Sequence, residues 1–345
     1  MMRCPRFVYH APRTLAEAAA ILAGEGPEAM LLAGGTDLVP NMKRRQQTPR
    51  VVVSLRRLPQ LREASPDGSR TRLGAMLTLS EVIASEAAAG PRGALRKAAA
   101  QVATEHLRNM GTLGGNLCLD TRCNYYDQNL EWRTAIDFCM KKEGQVCWVA
   151  PGSPRCWAVT STDTAPALMV LGAEVILHSS RGERTLPLGG FYRDDGIAYL
   201  EKRPDEILTG VLLPVAAEGE ASTYWKLRRR GAFDFPVLSV AAWIRRDAGG
   251  VVKDARLVLG SVASRPIAAG AASLIGTTLS EEAIEAAAAA AARFAKPLDN
   301  TDFALGWRKK AAHSLVAGAL RELRGDDPGA LGPFARRAAA LVPAG

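Results

Sequence analysis

Cys123, Cys139, Cys147 and Cys156 account for four of the chain's six cysteines, and all four fall within one short stretch. Thiolates are ligands for zinc and for iron–sulfur clusters, so four in one segment point to a metal or cluster site. Two glycine-rich loops precede them, LLAGGTDL at 31–38 and NMGTLGGN at 109–116. Glycine lets a backbone reach positive φ and approach a ligand closely, and successive N–H groups with a threonine hydroxyl can cradle a phosphate. The plainer reading of the first loop is a strand that turns at Gly34 and Gly35. Neither loop has the GxGxxG spacing of a Rossmann turn or the GxxxxGK[ST] of a triphosphate loop. Two such loops in one domain suit the two phosphates of a dinucleotide bound by another fold.

The cysteine spacing is C-x15-C-x7-C-x8-C. Structural zinc commonly uses close C-x(2–4)-C pairs, and ferredoxin clusters use runs with two residues between ligands. Spacing alone therefore leaves a cluster, a single metal ion and buried free thiols all open. Cys118 stands beside the second glycine loop, where a small buried residue is needed, and Cys4 is remote. No triad or paired-carboxylate pattern supplies an acid, a base or a nucleophile.

The elements that must position these residues read as follows. Thr14 with Glu17 and Thr78 with Glu81 are helix-start signals, and AMLLA at 29–33 and RVVVS at 50–54 are strand-like. A helix at about 93–105 leads into the second glycine loop. From about 117 to 160 periodicity disappears, while five of the six cysteines and three of the six tryptophans collect there. That texture is an insertion organised around a site. Strand signals return at 173–178 and 206–214, a small polar loop at 215–221 marks a boundary, and three β-rich runs followed by helices at about 280–295 and 301–323 make a small α+β unit. The Gly/Pro/Ala-rich residues 324–345 read as a tail.

Length fits two domains. The formal charge of +9 is spread in short groups such as Lys43 to Arg45 and Arg228 to Arg230, without interleaved aromatics. It predicts a basic face for an acidic protein or a phosphate-bearing cofactor, and no nucleic-acid binding. No apolar run is long enough for a signal sequence or a membrane span, so the expected location is the cytoplasm, where clustered cysteines serve as metal ligands or redox groups.

The motifs LLAGGTDL, NMGTLGGN, TSTDTAPALMVLGAEV at 160–175 and YWKLRRRGAFDFPVLSVA at 224–241 together resemble the flavin-binding subunits of molybdenum hydroxylases, the group of carbon monoxide and xanthine dehydrogenase flavoproteins. The likeness runs from about residue 5 to 323. It implies an α+β fold: a two-subdomain, PCMH-type FAD-binding domain over 1–216, carrying the insertion at about 117–160, and a C-terminal flavoprotein domain over 222–323. It implies FAD, with Leu32, Ala33, Gly34, Gly35, Thr36 and Asp37 at the pyrophosphate. Thr112, Leu113, Gly114, Gly115 and Asn116 would form a second cradle. Val102 would line the cofactor site, Asp163 would accept from cofactor hydroxyls or the adenine, Leu208 would pack against the cofactor, and Lys226 would stand near the flavin or its phosphates. Read without the resemblance, Asp163 is a helix cap, Lys226 a solvated strand charge and Val102 a core residue.

Within that group the stretch GNLCLDTRCNYYDQNLEWRTAIDFCMKKEGQVCWVAPGSPRCWAVTSTD resembles the branch of 4-hydroxybenzoyl-CoA reductase β subunits, whose insertion holds a [4Fe–4S] cluster. The resemblance makes Cys123, Cys139, Cys147 and Cys156 the ligands. It implies an oxidoreductase subunit in aromatic degradation, passing electrons from ferredoxin through [4Fe–4S] and FAD to [2Fe–2S] on a small subunit and molybdenum on a large one. A dimer of heterotrimers is implied too. Two rivals stand beside this: the flavin subunit of an oxidative molybdenum hydroxylase with cysteines that bind zinc or nothing, and a non-enzymatic assembly protein with a degenerate cofactor site.

Overall fold

A computed structural model describes residues 2–301 and 303–327, so the expected tail lies outside the described residues from 328 on. Three sheets follow one another along the chain. The first is parallel, with β1 (Val8–His10), β2 (Ala29–Leu32) and β3 (Val51–Ser54) in the order β1-β3-β2. β3 is VVVS and wholly buried, as expected of a β-branched strand flanked on both sides. α1 (Leu15–Glu25) crosses between β1 and β2, its start fixed by Thr14, whose hydroxyl accepts from Glu17 N at 3.1 Å. The first glycine loop leaves β2 and enters α2 (Leu38–Lys43).

The second sheet is antiparallel: β4 (Ala64–Asp67), β5 (Arg70–Gly74), β6 (Glu174–Ser179), β7 (Gly182–Pro187) and β8 (Ile207–Pro214), in the order β4-β5-β8-β6-β7. Between β5 and β6 run α3 (Leu79–Ala84), α4 (Gly93–Ala100), α5 (Glu105–Arg108), α6 (Leu113–Leu117), α7 (Leu130–Ala135) and α8 (Thr164–Val170). The full capping box of Thr78 and Glu81 starts α3. The helix expected to reach about 105 stops at Ala100, because the chain turns through Ala103, a non-glycine residue at φ 47°.

The third sheet, β9 (Glu220–Leu227), β10 (Leu238–Arg246), β11 (Val252–Gly260) and β12 (Ile267–Ala269), is an antiparallel meander backed by α9 (Glu281–Ala292) and α10 (Leu305–Arg324). Side chains alternate across a strand, so its two faces serve two cores. Tyr224, Ala241, Trp243 and Val258 join the main core of the second sheet with α4, α6 and α8, while Trp225, Val240, Ala242 and Ile244 pack under α9 and α10. The third sheet is thereby locked onto the first two-thirds of the chain. Truncating a central contact such as Leu213, fully buried in β8, should cost about 2–5 kcal/mol.

The cysteine-rich segment joins none of the sheets. Its base is closed by a β-bridge in which Arg122 N donates to Val159 O and Val159 N to Arg122 O, both at 2.8 Å. Its body rests on α2 and the turn that follows.

Candidate functional site

The first glycine loop is a run of free amides. Gly35 sits at φ +76°, the left-handed region that favours glycine, and a Cβ on Gly34 would fall 1.8 Å from the carbonyl oxygen of Met110 in the second loop. Among the described residues, none of the N–H groups of residues 33–37 donates to a protein acceptor. Half-buried amides left open in this way can donate hydrogen bonds to an anion. The loop therefore fits the phosphates of a dinucleotide, with Thr36 adding its hydroxyl.

The second loop is different. Leu113 N donates to Leu77 O at 2.9 Å, Gly114 N to Ala75 O at 2.8 Å, and Gly115 N to Thr112 Oγ1 at 3.1 Å, so Thr112 caps α6. Asn116 Oδ1 accepts from the Thr162 hydroxyl at 2.8 Å and from the Thr164 hydroxyl at 2.7 Å. These groups already have partners. The loop abuts the first one, with Gly115 beside Ala33 and Gly111 beside Thr36, and holds it in place.

Asp163 and Lys226 are brought together. Asp163 occupies the cap position of α8 but makes no cap hydrogen bond, since its own backbone is already helical. Its carboxylate accepts from Tyr224 Oη at 2.6 Å and from Lys226 Nζ at 2.9 Å, and Lys226 also donates to Gln101 O at 2.9 Å. Both side chains are almost wholly buried. Burial pushes the Asp163 carboxyl up and the Lys226 ammonium down, and their mutual attraction opposes both shifts. Strand alternation puts Tyr224 and Lys226 on the same face of β9, which the sequence pattern contained but did not connect to Asp163. Val102 is half-buried at the edge of the main core, and Leu208 is buried within it on β8.

The four cysteines of the insertion converge. Cys123, Cys139, Cys147 and Cys156 line one small cavity with Tyr125, Tyr126, Met140, Lys141, Trp148, Val149 and Ala158. All four are buried and none is in a disulfide. Most of them open a tight turn, as where Asp127 N donates to Cys123 O at 2.8 Å, Lys142 N to Cys139 O at 2.9 Å and Ala150 N to Cys147 O at 2.9 Å. Turns, not sequence spacing, aim the thiols inward. Cys118 packs against the main core instead. Burial raises the thiol pKa of Cys123 to about 12 and that of Cys156 to about 11, so both rest as thiols unless a cation is bound. Four sulfurs around one cavity are a donor set of the kind soft metal ions and iron–sulfur clusters take. No histidine or carboxylate lines the cavity. Among the described residues no three His, Cys, Asp or Glu side chains meet closely enough to hold a single metal ion.

Two buried cations beside this cavity escaped the sequence reading. Lys141 is on its wall and donates to Asp120 Oδ1 at 2.8 Å, Thr121 Oγ1 at 2.8 Å and Gly196 O at 2.7 Å, with its ammonium 4.9 Å from the centre of the Tyr126 ring. Arg122 precedes Cys123 and forms ion pairs with Asp37 and Asp127, the latter at 3.1 Å. Burial works against the Arg122 charge, but the aspartates outweigh it and hold the guanidinium protonated. The same burial raises Asp37, with Arg122 opposing. The only sequence signal for either cation was a charge inside an apolar, cysteine-rich stretch. A wider cleft of about 440 Å³ opens beside Cys123, between the insertion, Arg229, Arg230, residues 234–237, and Asn300, Thr301 and Phe303.

The site sits on a two-sheet domain, one sheet parallel and one antiparallel, with a C-terminal meander clamped onto it. Residues 5–216 match the FAD-binding domain of molybdopterin dehydrogenases, and residues 222–323 match the CO dehydrogenase flavoprotein C-terminal domain. The chain belongs to this family and is a flavoprotein subunit of the molybdenum hydroxylase type. It is 29% identical to the carbon monoxide dehydrogenase medium chain of Hydrogenophaga pseudoflava over 92% of its own length and 96% of that protein's. It is 32% identical to the aldehyde oxidoreductase FAD-binding subunit PaoB of Escherichia coli, over 75% of this chain and 82% of that one. Among solved structures, the carbon monoxide dehydrogenase of H. pseudoflava that lacks the Mo-pyranopterin moiety superposes with a TM-score of 0.77 at 28% identity, covering 94% of this chain and 99% of that one. No helix among the described residues is long and apolar enough to cross a membrane.

Proposed function

We propose that this chain is the electron-transfer flavoprotein subunit of a molybdenum-dependent aromatic acyl-CoA reductase, one that removes the phenolic hydroxyl of 4-hydroxybenzoyl-CoA. One observation carries the finer reading: four buried thiols from widely spaced positions line a single cavity beside the flavin loop. Four thiols around one cavity, with no histidine or carboxylate among its lining residues, are the donor set of a [4Fe–4S] cluster. Such a cluster exchanges single electrons and a flavin one or two, so the pair would join a one-electron protein donor to the rest of the enzyme.

This chain's own residues would hold the two groups and position them. Amides of residues 33–37 would take the pyrophosphate, with Leu32 at the entry to the loop and Thr112, Leu113, Gly114, Gly115 and Asn116 supporting it. Asp163, Lys226, Val102 and Leu208 would line or brace the cofactor site. Cys123, Cys139, Cys147 and Cys156 would ligate the cluster. No residue of this chain is assigned as an acid, base or nucleophile toward substrate, which would bind on a molybdenum-bearing partner. Relatives named as a medium chain and an FAD-binding subunit support an assembly with a large molybdenum subunit and a small [2Fe–2S] subunit; a dimer of heterotrimers is the arrangement proposed for it. An acidic ferredoxin is the donor that the charge of +9 suits.

A second reading, in which electrons leave substrate for an external acceptor, is equally consistent with the comparisons, since the relatives include subunits named for carbon monoxide, xanthine and nicotinate dehydrogenases. The purified complex separates the two. Dehydroxylation of 4-hydroxybenzoyl-CoA driven by reduced ferredoxin supports the reductase. Turnover only with an oxidisable substrate and an artificial acceptor supports the dehydrogenase.

A further inference from the structure

We infer that Arg122 couples the thiol cavity to the flavin loop, so that each bound group tightens the hold on the other. The inference rests on the readings of both sites given above. It starts from where the insertion touches the rest of the chain. The backbone of Arg122 closes the neck of the insertion against Val159, and the next residue, Cys123, contributes a thiol to the cavity. Its side chain runs the other way. It pairs with Asp37, the last residue of the free-amide loop, and donates to Asn41 Oδ1 at 3.2 Å, one turn along α2.

Further bonds fall on the same segment. Arg133 donates to Arg44 O at 2.8 Å, Gln46 Nε2 to Tyr126 O at 2.7 Å, and Gln47 Nε2 to Asp120 Oδ2 at 3.2 Å. Asp120 in turn holds Lys141 on the cavity wall. Residues 37–47 are thus the floor of the insertion and the continuation of the phosphate loop at once.

Filling the cavity fixes Cys123 and its turn, which carries Asp127, the second carboxylate on Arg122. That restricts the guanidinium and, through Asp37, the amides of residues 33–37. A flavin then meets a loop already ordered, and the gain is reciprocal because the linkage is one free energy. Arg122 acts here as a positioning residue and touches neither group in this scheme.

The test is the dissociation constant of FAD for the full chain, read by flavin fluorescence before and after anaerobic reconstitution with iron and sulfide, with iron counted in the same samples. Wild type should bind FAD about tenfold more tightly once iron is in place. In Arg122→Met the two affinities should converge while iron content holds, and Arg122→Lys should restore part of the difference through its point charge. Asp37→Asn removes the pair from the other end and should also shrink the difference if Arg122→Met does not fold. Iron uptake by wild type without a change in FAD affinity overturns the coupling alone. Failure to take up iron overturns the cluster reading and the coupling with it.

Discussion

The first glycine loop and the cysteine cavity lie on either side of the Arg122–Asp37 pair, and they are made from opposite parts of the chain. The loop offers main-chain N–H groups and needs side chains kept out, so that a single Cβ at Gly34 would strike Met110 O. The cavity offers side-chain sulfur, and its backbone matters only for aiming it. A site of amides therefore resists most side-chain changes and fails on added bulk. A site of thiols fails on loss of one atom.

The largest expected effect is all-or-none. Cys139→Ser should drop bound iron from about four per chain to near zero, while saturating FAD still binds, as metal analysis and flavin spectra will read. Full iron in that variant would break the ligand assignment. Gly34→Val should do the reverse, weakening FAD by about 100-fold or more, since the clash is with backbone that cannot move aside; flavin content after gel filtration measures it. Unchanged flavin would place the phosphates elsewhere.

Lys226→Met leaves Asp163 and Tyr224 buried without their cation and should cost about 3–5 kcal/mol, read as a lower urea midpoint. A loss well below that would mean the pair is wet. Lys141→Met removes a buried positive charge from the cavity wall and should lower the cluster's midpoint potential by at least ~60 mV, one tenfold step for a one-electron couple, in an EPR-monitored titration. The smallest effect is steric. A Cβ on Gly196 would come 2.7 Å from Cys156 Sγ, so Gly196→Ala should lower iron retention without touching flavin.

Legibility in the sequence followed the same division. Elements with local signals could be read: the capping box of Thr78 and Glu81, the VVVS strand, the buried run of β8 and the β-rich runs of the meander all lie where their patterns put them. Gly34 and Gly35 could be read as a loop, but what distinguishes them from the second loop could not. That difference depends on whether Leu77 and Ala75 carbonyls reach the second loop's amides, which is a tertiary fact. Asp163 looked like a helix cap because it occupies a cap position, yet its carboxylate turns to Tyr224 and Lys226, more than sixty residues on. Arg122 and Lys141 were illegible for a similar reason. A charge in an irregular stretch reads as solvated until Asp37 and Asn41 are seen against Arg122, and Asp120, Thr121 and Gly196 against Lys141. The convergence of the four thiols was hidden too, since their spacing matches no compact ligand motif and each is aimed by its own turn.

The central claim is that one polypeptide holds flavin and an iron–sulfur cluster side by side. Metal, acid-labile sulfide and flavin analysis of the anaerobically purified chain tests it most directly. The account predicts one FAD with about four irons and about four sulfides per chain. Flavin accompanied by zinc, or by no metal at all, would contradict it.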